Sequence, residues 1–143
     1  MINSLAELVQ HLKETENARD QLFCGIPKTR KLDEKGRVSI SPEHIRTIKR
    51  IDEIYQNQPH SVVLAYSPDL ISVFPLYYHD LILRENLTIE KLIQGTTPIN
   101  QQTIFATDCK TIDSQNRIRL PQKFCKNKKE VTIYGAGLHI NIF

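Results

Sequence analysis

Apolar positions along this chain recur with two different periods. Near the N-terminus Leu5, Leu8, Val9 and Leu12 fall at helical spacing, Asn3 or Ser4 can cap, and Glu7 follows Ser4 by three residues. The spacing predicts an amphipathic helix between Met1 and about Asp20, its stripe turned onto the domain's own core or toward a partner helix. From Arg30 to Ile40 the period shortens to two. Leu32, Val38 and Ile40 face one way and Arg37 and Ser39 the other, around Asp33-Glu34-Lys35-Gly36, so a strand, a tight turn and a second strand are expected. Ser41 then offers a cap and Pro42 a first helical position for a short helix that turns Ile45 and Ile48 inward. Gln56 to His60 reads as a loop, and Val62–Tyr66 with Ile71–Phe74 as a hairpin around Ser67-Pro68-Asp69, ended by Pro75. Helices are expected from about Pro75 to Leu83 and from about Thr88 to Gln94, the second stopped by Gly95.

The pattern then returns. Gln102–Ile112 is strand-like, Asp113-Ser114-Gln115-Asn116 is a turn, and Arg117-Ile118-Arg119-Leu120 alternates as a half-buried strand does. Pro121–Cys125 suits a short helix, and Glu130–Tyr134 and Leu138–Phe143 form a strand pair around Gly135-Ala136-Gly137. Aligned, Lys31 to Ile40 matches Thr111 to Leu120, with apolar positions and both Asp-x-x-x-Arg pairs in register. The chain is a duplication, and two β-β-α-β-type halves closing one barrel are expected.

Composition narrows the function more than the fold. At 143 residues, 40% hydrophobic and 24% charged, the chain suits one domain or two intimately packed halves, with no room for an enzyme carrying a separate substrate domain. No apolar run approaches the roughly 18 residues of a membrane span, and the first residues are acidic where a leader would be basic, so a cytoplasmic location without membrane contact is expected. Cys24, Cys109 and Cys125 are an odd number with wide, motif-free spacing, which suits reduced thiols better than a disulfide framework or a zinc site. His11, His44, His60, His79 and His139 are scattered, none in a metal-ligand spacing, and no phosphate loop or nucleophile elbow is present. Catalysis, a metal and a cofactor are therefore not expected. The net charge of +3 is only mildly basic, so a nucleic-acid partner depends on where the charge sits.

The two units, with Val73-Phe74-Pro75-Leu76 and the closing Glu130 to Ile140 segment, resemble the MraZ family within the AbrB-like swapped-hairpin superfamily over about Phe23 to Phe143. The resemblance implies a mainly β, α+β fold: a double-repeat swapped-hairpin or double-split β-barrel, here preceded by the N-terminal amphipathic helix. It divides the chain into a helical extension (1–22), a first repeat with connecting helices (23–95) and a second repeat (96–143). It further implies a ring-shaped homo-oligomer, association with the nucleoid, and transcriptional repression at short direct repeats of double-stranded DNA upstream of a division and cell-wall gene cluster. The family's DNA-contacting turns map onto Asp33 with Arg37 and Asp113 with Arg117. In each, Asp can accept bonds from turn amides or pair with its Arg, while the guanidinium fork can address phosphate or a guanine edge. Gly36 would supply the positive φ of the turn, and Asn116 is its commonest non-glycine substitute. Lys28, Arg30, Lys31, Lys35 and Arg119 add positive charge nearby for phosphate contacts. In the first unit Ile40-Ser41-Pro42 carries one residue more than Leu120-Pro121, so its helix is expected to start differently. The alternative function is an oligomeric assembly or antitoxin-like interaction module on the same fold; for the Asp–Arg pairs themselves the alternative role is a salt bridge that only rigidifies a hairpin turn.

Overall fold

The computed structural model describes residues 2–16, 18–55, 60–66, 69–86 and 107–143. The expected loop at residues 56–59, the hairpin tip at 67–68, the helix from Thr88 and the start of the strand from Gln102 lie outside them. The fold is mixed α+β with antiparallel strands. Helix α1 (Leu5–Glu14) leads through a 3-10 turn (Ala18–Gln21) to β1 (Lys28–Lys31), β2 (Arg37–Ser39) and α2 (Pro42–Tyr55). The hairpin β3 (Ser61–Tyr66) and β4 (Ile71–Pro75) and helix α3 (Leu76–Asn86) follow. The second half supplies β5 (Thr107–Thr111), β6 (Arg117–Arg119), α4 (Gln122–Cys125), β7 (Glu130–Gly135) and β8 (Ile140–Ile142).

Six strands form one sheet in the order β1-β7-β8-β4-β3-β5, and β2 and β6 form a separate two-stranded ribbon. Only β3·β4 and β7·β8 pair within one half; β1·β7, β3·β5, β4·β8 and β2·β6 all join the halves. Exchanging β1–β4 for β5–β8 reproduces this order reversed, so the duplication is a pseudo-two-fold axis. It passes through two pairs, Val38↔Ile118 in the ribbon and Ser72↔Asn141 in the sheet, where Ser72 Oγ donates to Asn141 Oδ1 at 2.9 Å. Among the described strands β1 and β5 are the outer members of the six-stranded sheet, and from each of them the chain turns into the ribbon. Val38 and Ile118 of that ribbon enter the same core as Ile71, Ile140 and Ile142. Buried residues from both interleaved halves form one core, so neither half has a core of its own.

Local chemistry accounts for the element ends. Ser4 Oγ accepts from the Glu7 amide at 3.1 Å, and Glu7 Oε2 reaches back to the Asn3 amide at 2.8 Å, a variant of the capping box. The helix stops where Thr15 turns extended and its hydroxyl takes the His11 carbonyl, five residues before Asp20. Its stripe covers the domain's own core: Leu8 is fully buried, α1 packs on α3, and Tyr77 Oη donates to the Ile2 carbonyl at 3.1 Å. Leu8→Ala is expected to remove about 2–5 kcal/mol, read as a lowered urea midpoint with an unchanged m-value.

Helix α2 runs to 14 residues where a short one was expected, because Ile51, fully buried, and Tyr55, packed against the core, extend the inward face begun by Ile45 and Ile48. Its counterpart α4 has four residues, cut off at Asn127, which has φ +64°. The extra residue before Pro42 proves to be no insertion. The Ser41 carbonyl accepts from His44 and Ile45, and the Pro121 carbonyl accepts from Phe124 and Cys125 in the same way. Ser41 and Pro121 are therefore equivalent, and proline merely moves from the N-cap to the first helical position. The Ser41 hydroxyl, expected to cap, accepts instead from Arg30 Nη2 at 3.1 Å.

Candidate nucleic-acid interface

Each Asp-x-x-x-Arg turn is built from its aspartate. Asp33 Oδ1 accepts the amides of Lys35 and Arg37 at 3.0 and 2.8 Å, and its Oδ2 accepts Arg37 Nε at 2.6 Å. Asp113 repeats this with Gln115, Arg117 and Arg117 Nε, each at 2.9 Å. A carboxylate suits the position because it alone can accept three such bonds and carry the charge that fixes the guanidinium. Both turns close through the fourth residue, Gly36 at φ +72° and Asn116 at φ +61°, the left-handed region these two residue types tolerate best.

The halves lock one another's turns. Ile40 N donates to the Asn116 carbonyl and Leu120 N to the Gly36 carbonyl, both at 2.9 Å. Across the ribbon Arg117 Nη1 lies 3.9 Å from Asp33 Oδ2. With Val38 and Ile118 pointing inward, alternation places Arg37, Ser39, Arg117 and Arg119 on the opposite, outward face. Arg37 faces Arg119 and Ser39 faces Arg117 in register. Asp33 and Asp113 hold the two arginines by Nε, so each planar fork is oriented before any ligand arrives.

The remaining basic residues divide. Lys35 is exposed on the first turn and Arg119 is exposed on the ribbon. Lys31 is exposed at the end of β1 opposite Glu130. Lys28 and Arg30 lie instead against the start of α2, Lys28 Nζ 3.1 Å from Glu43 Oε1 and Arg30 on Ser41. Three lysines that were not singled out, Lys110 on β5, Lys123 on α4 and Lys126 just beyond it, line a cleft together with Lys35 and Arg119. By the repeat register Lys110 matches Arg30, which is the one sequence signal that could have found it.

The hydrogen bond from the Arg37 amide, opposed by burial and reinforced by the Arg37 side chain and the Lys35 amide, holds the Asp33 carboxyl below the usual carboxylate range, and Asp113 is lowered by Arg117 and Gln115 in the same way. A depressed carboxyl pKa stabilises the fold above the unfolded value of about 3.9, and the contribution is lost as pH falls through the folded value. Melting temperature is therefore expected to fall more steeply below about pH 4 for the wild-type chain than for an Asp33→Asn, Asp113→Asn variant, compared by circular dichroism.

Among the described residues no group of three or more His, Cys, Asp and Glu could hold a metal ion, the three cysteines are free, and no helix is long and apolar enough to cross a membrane. Compared with protein-family models and with curated proteins, the chain matches none.

Proposed function

We propose that this chain is a sequence-specific DNA-binding transcriptional regulator of the MraZ kind, acting as a homo-oligomer on short direct repeats through its two Asp-x-x-x-Arg turns. The observation that carries this reading is the pair of matched turns on one two-stranded ribbon, with Arg37, Arg117 and Arg119 on its outward face. The major groove of B-DNA is about 12 Å wide and admits a two-stranded β-ribbon. A ribbon with pre-oriented guanidinium forks is suited to guanine edges, whose O6 and N7 accept a fork's paired N–H groups. The pairing of β1 with β7 and β5 with β3 supports the swapped-hairpin arrangement, since strands are exchanged between halves. Several protomers on repeated boxes would bind through avidity.

The test is fluorescence anisotropy with the DNA immediately upstream of the chain's own gene, against a scrambled duplex of equal length. Preferential binding by more than one protomer supports the reading. A second reading, an assembly module, is favoured by Ile26, 81% exposed just before edge strand β1. Equal and negligible binding to both duplexes selects it.

A further inference from the structure

We infer that the cleft beside the first turn is a phosphate-backbone site for duplex DNA, the strand of the duplex that flanks the groove occupied by the ribbon. This rests on the DNA-binding reading and adds a contact surface to it. The cleft has a volume of about 980 Å³, and its cations come from four places: Lys35 of the turn, Lys110 of β5, Arg119 of β6, and Lys123 and Lys126 at α4. Two carboxylates, Glu34 and Asp108, also line it. The surplus is three positive charges, equal to the formal net charge of the whole chain, so all other residues together balance. A surplus of one sign lining a cleft focuses the field there.

None of the five cations is ion-paired among the described residues. The corner related by the pseudo-two-fold axis differs. There Lys28 is taken by Glu43 at 3.1 Å and Arg30 by Ser41, while Asp108 and Lys123 occupy the places of Lys28 and Glu43 with signs reversed. The surface of α2 next to the 3-10 turn is likewise self-neutralised, Arg50 meeting Asp20 and Glu53. Continuity selects the occupant. Arg119 lies on the outward ribbon face opposite Arg37 and also lines the cleft, and the walls of a groove that admits a ribbon are phosphates. An acidic protein segment would match the charge but has no reason to abut the ribbon.

The probe is the upstream duplex and its scrambled control, titrated by anisotropy from about 50 to 200 mM salt with the wild-type chain and a Lys110→Gln, Lys123→Gln, Lys126→Gln variant, whose melting temperature is checked first. Each lost phosphate contact removes about 0.9 from the slope of log K against log salt. The variant's slope is expected to flatten by about 2 to 3 on both duplexes, so that this salt rise weakens the wild-type chain roughly 40-fold more than the variant. Preference for the upstream duplex is retained. An unchanged slope overturns the cleft site and leaves the turns untouched. A steep wild-type slope that flattens in the variant, with no preference between duplexes, upholds the cleft and overturns sequence reading by the turns. Absence of binding to either duplex overturns both.

Discussion

Arg37→Ala is expected to weaken binding to the upstream duplex by roughly 5- to 150-fold for each engaged protomer, the worth of one bidentate base contact. Because protomers on neighbouring boxes act together, the losses multiply, and Arg37→Ala with Arg117→Ala removes preferential binding altogether. Folding should survive. Each turn keeps the amide bonds that its aspartate accepts, Lys35 and Arg37 on Asp33, Gln115 and Arg117 on Asp113, and the cross-bonds from Ile40 and Leu120 use main-chain atoms alone. The buried side of the ribbon, Val38 and Ile118, is also untouched. Anisotropy and a thermal melt on the same preparation separate the cases. A variant that melts far lower while its residual folded fraction binds normally would make the arginines braces of the turns.

Gly135→Ala should cost the fold about 3 kcal/mol or more, the upper end for inserting one methyl group into packed structure. A Cβ at Gly135 would lie 2.5 Å from the Phe23 carbonyl carbon, 2.6 Å from Cys24 N and 2.8 Å from the Phe23 oxygen. All three are main-chain atoms, so no rotamer change can relieve the clash. They belong to the bridge in which Phe23 N donates to the Gly137 carbonyl at 2.7 Å and Gly137 N returns a bond to Phe23 at 2.9 Å. Opening it frees the segment that buries Phe23 and carries the Gln21 carbonyl to the buried Tyr78 hydroxyl. A fall in melting temperature of about 10 °C is expected by calorimetry. Gly137→Ala is the control: its Cβ would meet nothing within 4 Å, and only its φ of +85° resists the change, at roughly 1 kcal/mol. If Gly137→Ala proved the more damaging of the two, the close approach at Gly135 would not be what the glycine serves.

These glycines illustrate how differently the two kinds of information reach the fold. In the sequence Gly135 and Gly137 are indistinguishable members of one turn. Folded, Gly137 is needed for its own backbone angle and Gly135 for the chain that crosses it, and that second chain lies more than a hundred residues away. The same division runs through the candidate interface. The aspartates, the positions after them that take positive φ, and the inward Val38 and Ile118 were all legible, because each depends on residues within four places along the chain. Lys28 and Arg30 read as interface cations, yet they are drawn to Glu43 and Ser41, which stand 15 and 11 residues further on. Lys110, Lys123 and Lys126 went unremarked because they share a surface only after β5, β6 and α4 have converged.

The sequence by itself determined the period of the described elements, the cap on α1, the duplication and the hydrogen-bonding chemistry of its two turns. These are local: they are written in side-chain spacing, in φ preference and in hydrogen bonds of short loop length. Only the tertiary structure decided which strand lies beside which. Side-chain alternation states which face of a strand is buried, but the bonds between strands are made by backbone groups common to all residues. Thus β1 and β2, read as neighbours through one turn, pair respectively with β7 and β6 of the other half. That choice creates the shared core, sets both arginine turns on one ribbon, and brings to one side of it five cations that have no ion-pair partner among the described residues.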